Sequence, residues 1–245
     1  MKDSEHTTTR DIINFWISND SECNISKMIK NDHLAVFAYH YTSLIYYMAS
    51  MFKVNKLSYP RTIVFSGNGS KYIDNYIDPN ISVLTEMTSL IIAKVYGKDR
   101  IDDIQLILPE HRKESTCYGG LYYKDTSSSP KQVIYMGDGT NTEYDNVKML
   151  KKAFYDNLNE SIGLEIGKMH QIYEAVLRFL ISKNNGLSIP IDKMINAVNL
   201  QMKDSLKTTF LTEVDDKYTD DEIFNDTLFF MPIVQSLFNL TNVNK

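Results

Sequence analysis

The 245-residue sequence is poor in the residues that break or crosslink a chain, with 2 cysteines, 6 prolines and 10 glycines. So few glycines and prolines exclude collagen-like repeats. Cys23 and Cys117 lie far apart and match no metal-ligand spacing, which indicates two reduced core thiols rather than a disulfide or a nucleophile. The length is sufficient for one large domain or two small ones.

Positive charge is also scarce, since 26 Lys and Arg face 31 Asp and Glu for a net charge of -5. A nucleic-acid partner needs clustered basic residues and is not expected, although a local phosphate site is compatible with this balance. The polar start MKDSEHTTTRD is unlike a signal peptide. Polar residues interrupt the longest apolar stretch, around 34–52, so we expect no membrane partner and a cytoplasmic location.

Apolar residues recur at three- and four-residue steps from Ile25 to Phe52, which predicts a long helix over about 25–55. The late part of this helix has no clear polar face, which indicates burial on several sides. A short leading helix is predicted over 7–20. Further helical patterns cover 71–76, 81–96, 110–123, 144–158, 160–183, 190–208 and 226–240.

Short runs rich in β-branched residues predict strands at 62–65, 104–108 and 132–136. The hydrophilic segment 124–131 is the best candidate for a boundary. We therefore predict an α/β fold. One domain, 1–124, has a mixed sheet flanked by helices, and a mainly helical extension, 125–245, packs on it or forms a separate lobe.

The most informative segment is the turn after the first strand, Ser66-Gly67-Asn68-Gly69-Ser70. Glycines permit positive φ and let a ligand approach the backbone closely. The following helix presents free N–H groups and the positive end of its dipole, and the serines add hydroxyl donors. Neither the P-loop nor the three-glycine dinucleotide pattern is complete, so an ordinary strand–helix turn is the alternative interpretation.

A second segment follows the strand at 104–108, with Pro109, the charged run 110–114 and the pair Gly119-Gly120. If the two strands are neighbours, the charged run lies beside the first glycine turn. Glycines inside a helix cost about 1 kcal/mol each relative to alanine and are tolerated where something packs against the backbone. The alternative is a solvated helix start followed by a close helix contact.

In order and spacing, these segments resemble the second half of actin-like proteins, within the superfamily of actin, heat-shock chaperones and sugar kinases. In that family, a helix leads to a strand and a glycine–serine turn that touches the adenosine of ATP. A strand ending in proline, a lysine-bearing charged run and a glycine pair come later. The matching segments here are IVFSGNGSKYI at 63–73, IQLILPEHRK at 104–113 and YGGL at 118–121.

The resemblance implies an actin-like ATPase subdomain over 1–124 with an adenine nucleotide, ATP or ADP, as ligand. In the family the lysine of the charged run lies against the base or ribose, and Lys113 matches it. Asn68 replaces the usual second glycine of the turn, and asparagine tolerates left-handed geometry. The resemblance thus assigns nucleotide binding to Ser66, Gly67, Asn68, Gly69, Ser70, Lys71 and Lys113.

The phosphate- and metal-holding loops of the superfamily are missing from the resemblance. The segment 136–140, MGDGT, has a superficial likeness to such a loop but comes in the wrong order, and we interpret it as a turn. We therefore expect a C-terminal piece of a larger ATPase whose missing N-terminal half is a partner. Mg²⁺ would bind only with that half, and this chain alone would not hydrolyse ATP. A small natural protein with half the fold is the alternative.

The rival hypothesis is a non-enzymatic protein-interaction module whose glycine turns are structural. A kinase for a small metabolite would share the fold, but the sequence has no substrate-binding signature for it. Among other candidates, His40 is expected to be a hydrogen-bonded core or interface residue, and His111 is a weaker candidate for a ligand contact. The acidic residues of 215–222 lack calcium-loop spacing and are interpreted as a solvated loop. Aromatic residues expected in the core are Tyr46, Tyr47, Phe179, Phe229 and Phe230.

Overall fold

The computed structural model describes residues 26–67, 73, 81–109, 135–183, 189–200 and 202–241. Two π-helical turns, Phe154–Leu158 and Leu211–Asp215, each continue the α-helix that precedes them. In chain order, the elements are α1 (Ser26–Val54), β1 (Thr62–Val64), α2 (Ile81–Tyr96), β2 (Gln105–Ile107), α3 (Val147–Ala153), α4 (Asn159–Lys183), α5 (Ile191–Asn199), α6 (Met202–Phe210) and α7 (Met231–Thr241).

The predicted α/β class, an actin-like subdomain with a mixed sheet, is wrong. The described part of the chain is mostly helical, and within it β1 and β2 form a two-stranded parallel ladder of three residues each. Tyr135 and Met136, the described end of the predicted third strand, are not in a strand. Strands this short have few ladder hydrogen bonds, so burial between helices rather than a sheet organises the core.

Several local predictions are confirmed: α1, α2, β1 and β2 match the predicted elements within a few residues. The helix predicted over 190–208 is instead two helices, because the backbone of Leu200 is extended. The predicted leading helix, the helix at 110–123 and the boundary at 124–131 lie outside the described residues, and of the segment 71–76 only position 73 is described.

Helix α1 forms the centre of the fold and packs against α2, α4 and α7. Ala35, Ala38 and Ala49 are fully buried, and their short side chains let neighbouring helices come close. The predicted burial of α1 on several sides is therefore confirmed. Helices from both sides of the proposed boundary share this core, while the division into 1–124 and 125–245 stays a prediction.

Tyrosine hydroxyls of α1 form hydrogen bonds with side chains of the neighbouring helices. The Tyr39 hydroxyl lies 2.9 Å from Nε2 of His170 on α4, and the Tyr41 hydroxyl lies 2.6 Å from the hydroxyl of Thr88 on α2. Both tyrosines are buried, and such a ring is stable in a core when its hydroxyl has a partner. These bonds fix the orientation of α1 relative to α2 and α4.

The five aromatic residues predicted in the core do belong to it: Tyr46 and Phe229 are fully buried, and the other three pack against the core half-buried. His40 is exposed and is not a core residue. Among the described histidines the buried one is His170, whose Nδ1 lies 2.6 Å from Oδ1 of Asn199. Burial lowers the pKa of His170 to about 4, so the ring is neutral at physiological pH.

Candidate functional site

The two segments that contain the sequence-predicted binding residues both begin at the same edge of the fold. β1 and β2 are parallel neighbours: the amide of Phe65 donates to the carbonyl of Ile107 over 3.0 Å, and the amide of Gln105 donates to that of Arg61 over 2.7 Å. The condition that the two strands are adjacent is therefore met. Carboxyl ends of neighbouring parallel strands are where open α/β sheets bind ligands. We call this place the strand edge.

The described start of the glycine turn has the backbone geometry that glycine permits. Gly67 has φ of +78°, in the left-handed region, and a Cβ added there would meet no atom of the described residues within 4 Å. The backbone angle alone therefore favours glycine at this position. Ser66 is exposed beside it. Five predicted site residues lie outside the described residues: Asn68, Gly69, Ser70, Lys71 and Lys113.

A cleft of about 750 Å³ lies between α1, α2, α4 and the loop 135–140. It is lined by the last turns of α1 and α2, which precede the segments leading into β1 and β2. Those segments contact each other: Arg61 pairs with Asp103 over 3.1 Å, and the Tyr96 hydroxyl donates to the carbonyl of Leu57. The cleft, which we call the polar cleft, is therefore at the amino ends of the strands, opposite the strand edge.

Glu165 of α4 is the buried carboxylate of the polar cleft. Its Oε2 accepts a 2.6 Å hydrogen bond from the hydroxyl of Tyr46, and its Oε1 pairs with Lys168 one turn further along α4. Burial, and then the neighbouring Glu165, raise the pKa of Tyr46, which therefore remains a hydrogen-bond donor. Burial likewise raises the pKa of Tyr135 across the cleft. A buried carboxylate with two partners is satisfied and held in place.

Gly139 of the MGDGT segment lines this cleft beside Glu165 of α4. The amide of Thr140 donates to Asp138 over 3.1 Å, so the predicted turn is confirmed. The amide of Gly139 donates to the hydroxyl of Tyr135, and its φ is +79°. A Cβ on Gly139 would lie 2.8 Å from Oε1 of Glu165. Glycine here lets the loop approach the carboxylate closely.

Three lysines from three helices reach the polar cleft: Lys53 of α1, Lys94 of α2 and Lys168 of α4. Lys53 donates to the carbonyl of Val95 over 2.6 Å and so caps the end of α2. Within the described part of the chain, Lys94 has no ion-pair partner. The described lining residues thus carry three positive charges against the single negative charge of Glu165, although the whole chain is acidic.

Sequence reasoning missed the polar cleft. Lys53 and Lys94 are in the last turns of their helices, where a basic residue is expected from the helix dipole alone. Glu165 and Lys168 are a common i, i+3 pair. No sequence spacing relates these residues to Tyr135 and its loop. The reason is that α1, α2, α4 and the loop 135–140 come together only through helix packing.

A lysine of the same chain forms ion pairs with two carboxylates of the acidic segment 215–222. Lys151 of α3 lies 2.8 Å from Asp215 and 3.2 Å from Asp220, and these carboxylates raise its pKa. No cluster of three or more candidate metal ligands is found in the segments that the structure describes.

None of the helices in the described ranges combines the length and the apolar character needed to cross a bilayer. The chain matches no protein-family model, no curated protein and no solved structure. The resemblance to actin-like ATPases therefore stays a prediction.

Proposed function

We propose that this chain is a cytoplasmic protein that binds an adenine nucleotide, ATP or ADP, at the strand edge. The observation that supports this is the parallel pairing of β1 with β2, because it directs the glycine turn and the segment after Ile107 to one side. The proposal does not depend on an actin-like sheet. It requires two adjacent strand ends, a backbone that a ligand can approach and a nearby cation.

The roles of the groups follow from their chemistry. In this proposal the glycines of the turn let a ribose or phosphate oxygen approach the backbone closely, and Ser66 adds a hydroxyl. Lys113 supplies the positive charge from the second segment. We expect no ATP hydrolysis by this chain, because the sequence has no aspartate-bearing phosphate loop at the strand edge to hold Mg²⁺.

Calorimetric titration with ADP tests the proposal. We expect binding by the wild type and an affinity about tenfold lower for Lys113→Ala, since a charge-assisted contact contributes about 1.5–3 kcal/mol. Lys193→Ala is the matched control, because Lys193 is exposed on α5. An absence of ADP binding, or equal losses in both variants, would contradict nucleotide binding at the strand edge.

A second candidate is a non-enzymatic protein-interaction module in which the glycine turn is structural. The positive φ of Gly67 favours it, because that angle explains a glycine without any ligand. Both hypotheses predict that Gly67→Ala lowers the melting temperature. They differ in the effect of ADP: only nucleotide binding predicts that ADP raises the melting temperature of the wild type more than that of Lys113→Ala.

A further inference from the structure

We infer that the polar cleft is a second ligand site, which binds a phosphorylated small organic molecule. This site is separate from the proposed nucleotide site, because it lies at the opposite ends of β1 and β2. Its volume of about 750 Å³ is within the range of small-molecule sites, about 300–1,000 Å³. Its lining comes from four segments of the core rather than from one surface element.

The charge of the lining selects an anion. Lys53, Lys94 and Lys168 are exposed at the rim, whereas Glu165 and Tyr46 are buried. The only carboxylate among the described lining residues already accepts from Tyr46 and Lys168, so its charge is compensated. The bond from Lys53 to Val95 uses one of the three ammonium donors, which leaves two for a ligand.

The type of cation favours a phosphate over a carboxylate. The described lining contains lysines and no arginine. Arginine presents a planar fork that fits a carboxylate in a bidentate way, whereas lysine acts as a point charge and is a common phosphate ligand. Three point charges from three helices suit the oxygens of a phosphate, which lie around a tetrahedron.

The uncharged part of the lining accepts a carbon skeleton. Val54, Val95 and Ile172 contribute apolar surface, and the rings of Tyr46 and Tyr135 contribute aromatic surface. A site for free inorganic phosphate needs no such walls. We therefore assign the phosphate to the lysine rim and an apolar or aromatic group of the same ligand to these walls.

Phenyl phosphate is a suitable probe, with inorganic phosphate and citrate as comparisons. We expect calorimetry to show phenyl phosphate binding about tenfold or more tighter than phosphate, because the ring buries apolar surface. Lys94→Gln should weaken phenyl phosphate about tenfold without changing the melting temperature, since Lys94 makes no ion pair among the described residues. The matched control Lys193→Gln should bind as the wild type does.

Lysine acetylation read by mass spectrometry locates the bound probe. With phenyl phosphate at ten times its dissociation constant, acetylation of Lys94 and Lys168 should slow about tenfold, while that of Lys193 is unchanged. Four results would overturn the assignment: no phenyl phosphate binding, wild-type affinity in Lys94→Gln, protection confined to Lys71 and Lys113, or tighter binding of citrate than of phenyl phosphate.

Discussion

The strand edge and the polar cleft are at opposite ends of the same two strands, and they are built differently. At the strand edge, the candidate residues are close together in the sequence and rest on two three-residue strands. In the polar cleft, the residues come from α1, α2, α4 and the loop 135–140, and buried side-chain contacts hold them. A site of the first kind is visible in a sequence, whereas a site of the second kind exists only after the helices pack.

The largest expected difference concerns the glycines of the two regions. Gly137 of the cleft loop has φ of +93°, and a Cβ there would lie 2.4 Å from Cβ of Phe229, so Gly137→Ala must displace backbone. We expect a loss of about 4 kcal/mol in the free energy of unfolding. Gly67→Ala is the control, because among the described residues it meets no steric contact and has the φ penalty, about 1 kcal/mol. Equal losses in urea denaturation would show that the two loops are equally constrained.

The α1–α4 contact that supports the cleft has a pH dependence that the strand edge lacks among its described residues. The folded state keeps His170 neutral with a pKa of about 4, while the unfolded chain binds a proton below about pH 6.5. The unfolded state therefore takes up more protons as pH falls from 6.5 to 4, and stability decreases over that window.

Between pH 7 and pH 5, this difference amounts to about 2 kcal/mol of unfolding free energy. His170→Gln keeps a side chain that can bond to Tyr39 and Asn199 but has no titrating ring. We expect urea denaturation at the two pH values to show a loss about 2 kcal/mol smaller for this variant than for the wild type. Equal losses would mean that His170 is protonated in the folded state.

The smallest effects compare a buried hydrogen bond of the polar cleft with an exposed ion pair at the amino ends of the strands. Tyr46→Phe removes the only described hydroxyl donor to the buried Oε2 of Glu165 and should cost about 1–3 kcal/mol. Arg61→Ala removes an exposed ion pair with Asp103 beside β1 and should cost less than about 1 kcal/mol. The two variants can be compared by thermal and urea denaturation. A larger cost for Arg61→Ala would contradict the expectation that burial sets the cost of losing a polar contact.

The sequence predicted individual elements better than their assembly. The β-branched run at 62–64 marks a strand because its signal is local, but it carries no information on how many strands pair. The break between α5 and α6 at Leu200 is not marked by a glycine or a proline in the sequence. The neighbours that decide burial are also non-local: His40 and His170 both lie in long helices, yet His40 is exposed and His170 is buried.

The same limit applies to the sites. Glycines with positive φ leave a sequence signal, so the turn beginning at Ser66-Gly67 was found, and so was the turn at 137–140, though without its role in a cleft. The cluster of Lys53, Lys94 and Lys168 depends on how three helices are rotated about their axes. Helix rotation follows from complementary packing over the whole core, which no short segment encodes.

The buried tyrosines give this protein an internal optical reporter of its own unfolding. Burial raises the pKa of Tyr39, Tyr41 and Tyr173 well above the ordinary value of 10.0, so these rings stay protonated in moderately alkaline solution while the fold persists. The unfolded chain releases those protons near pH 10, and alkali therefore favours unfolding. The ultraviolet absorbance of tyrosinate should rise in two stages, first from exposed rings and then, cooperatively, as the helices around α1 separate.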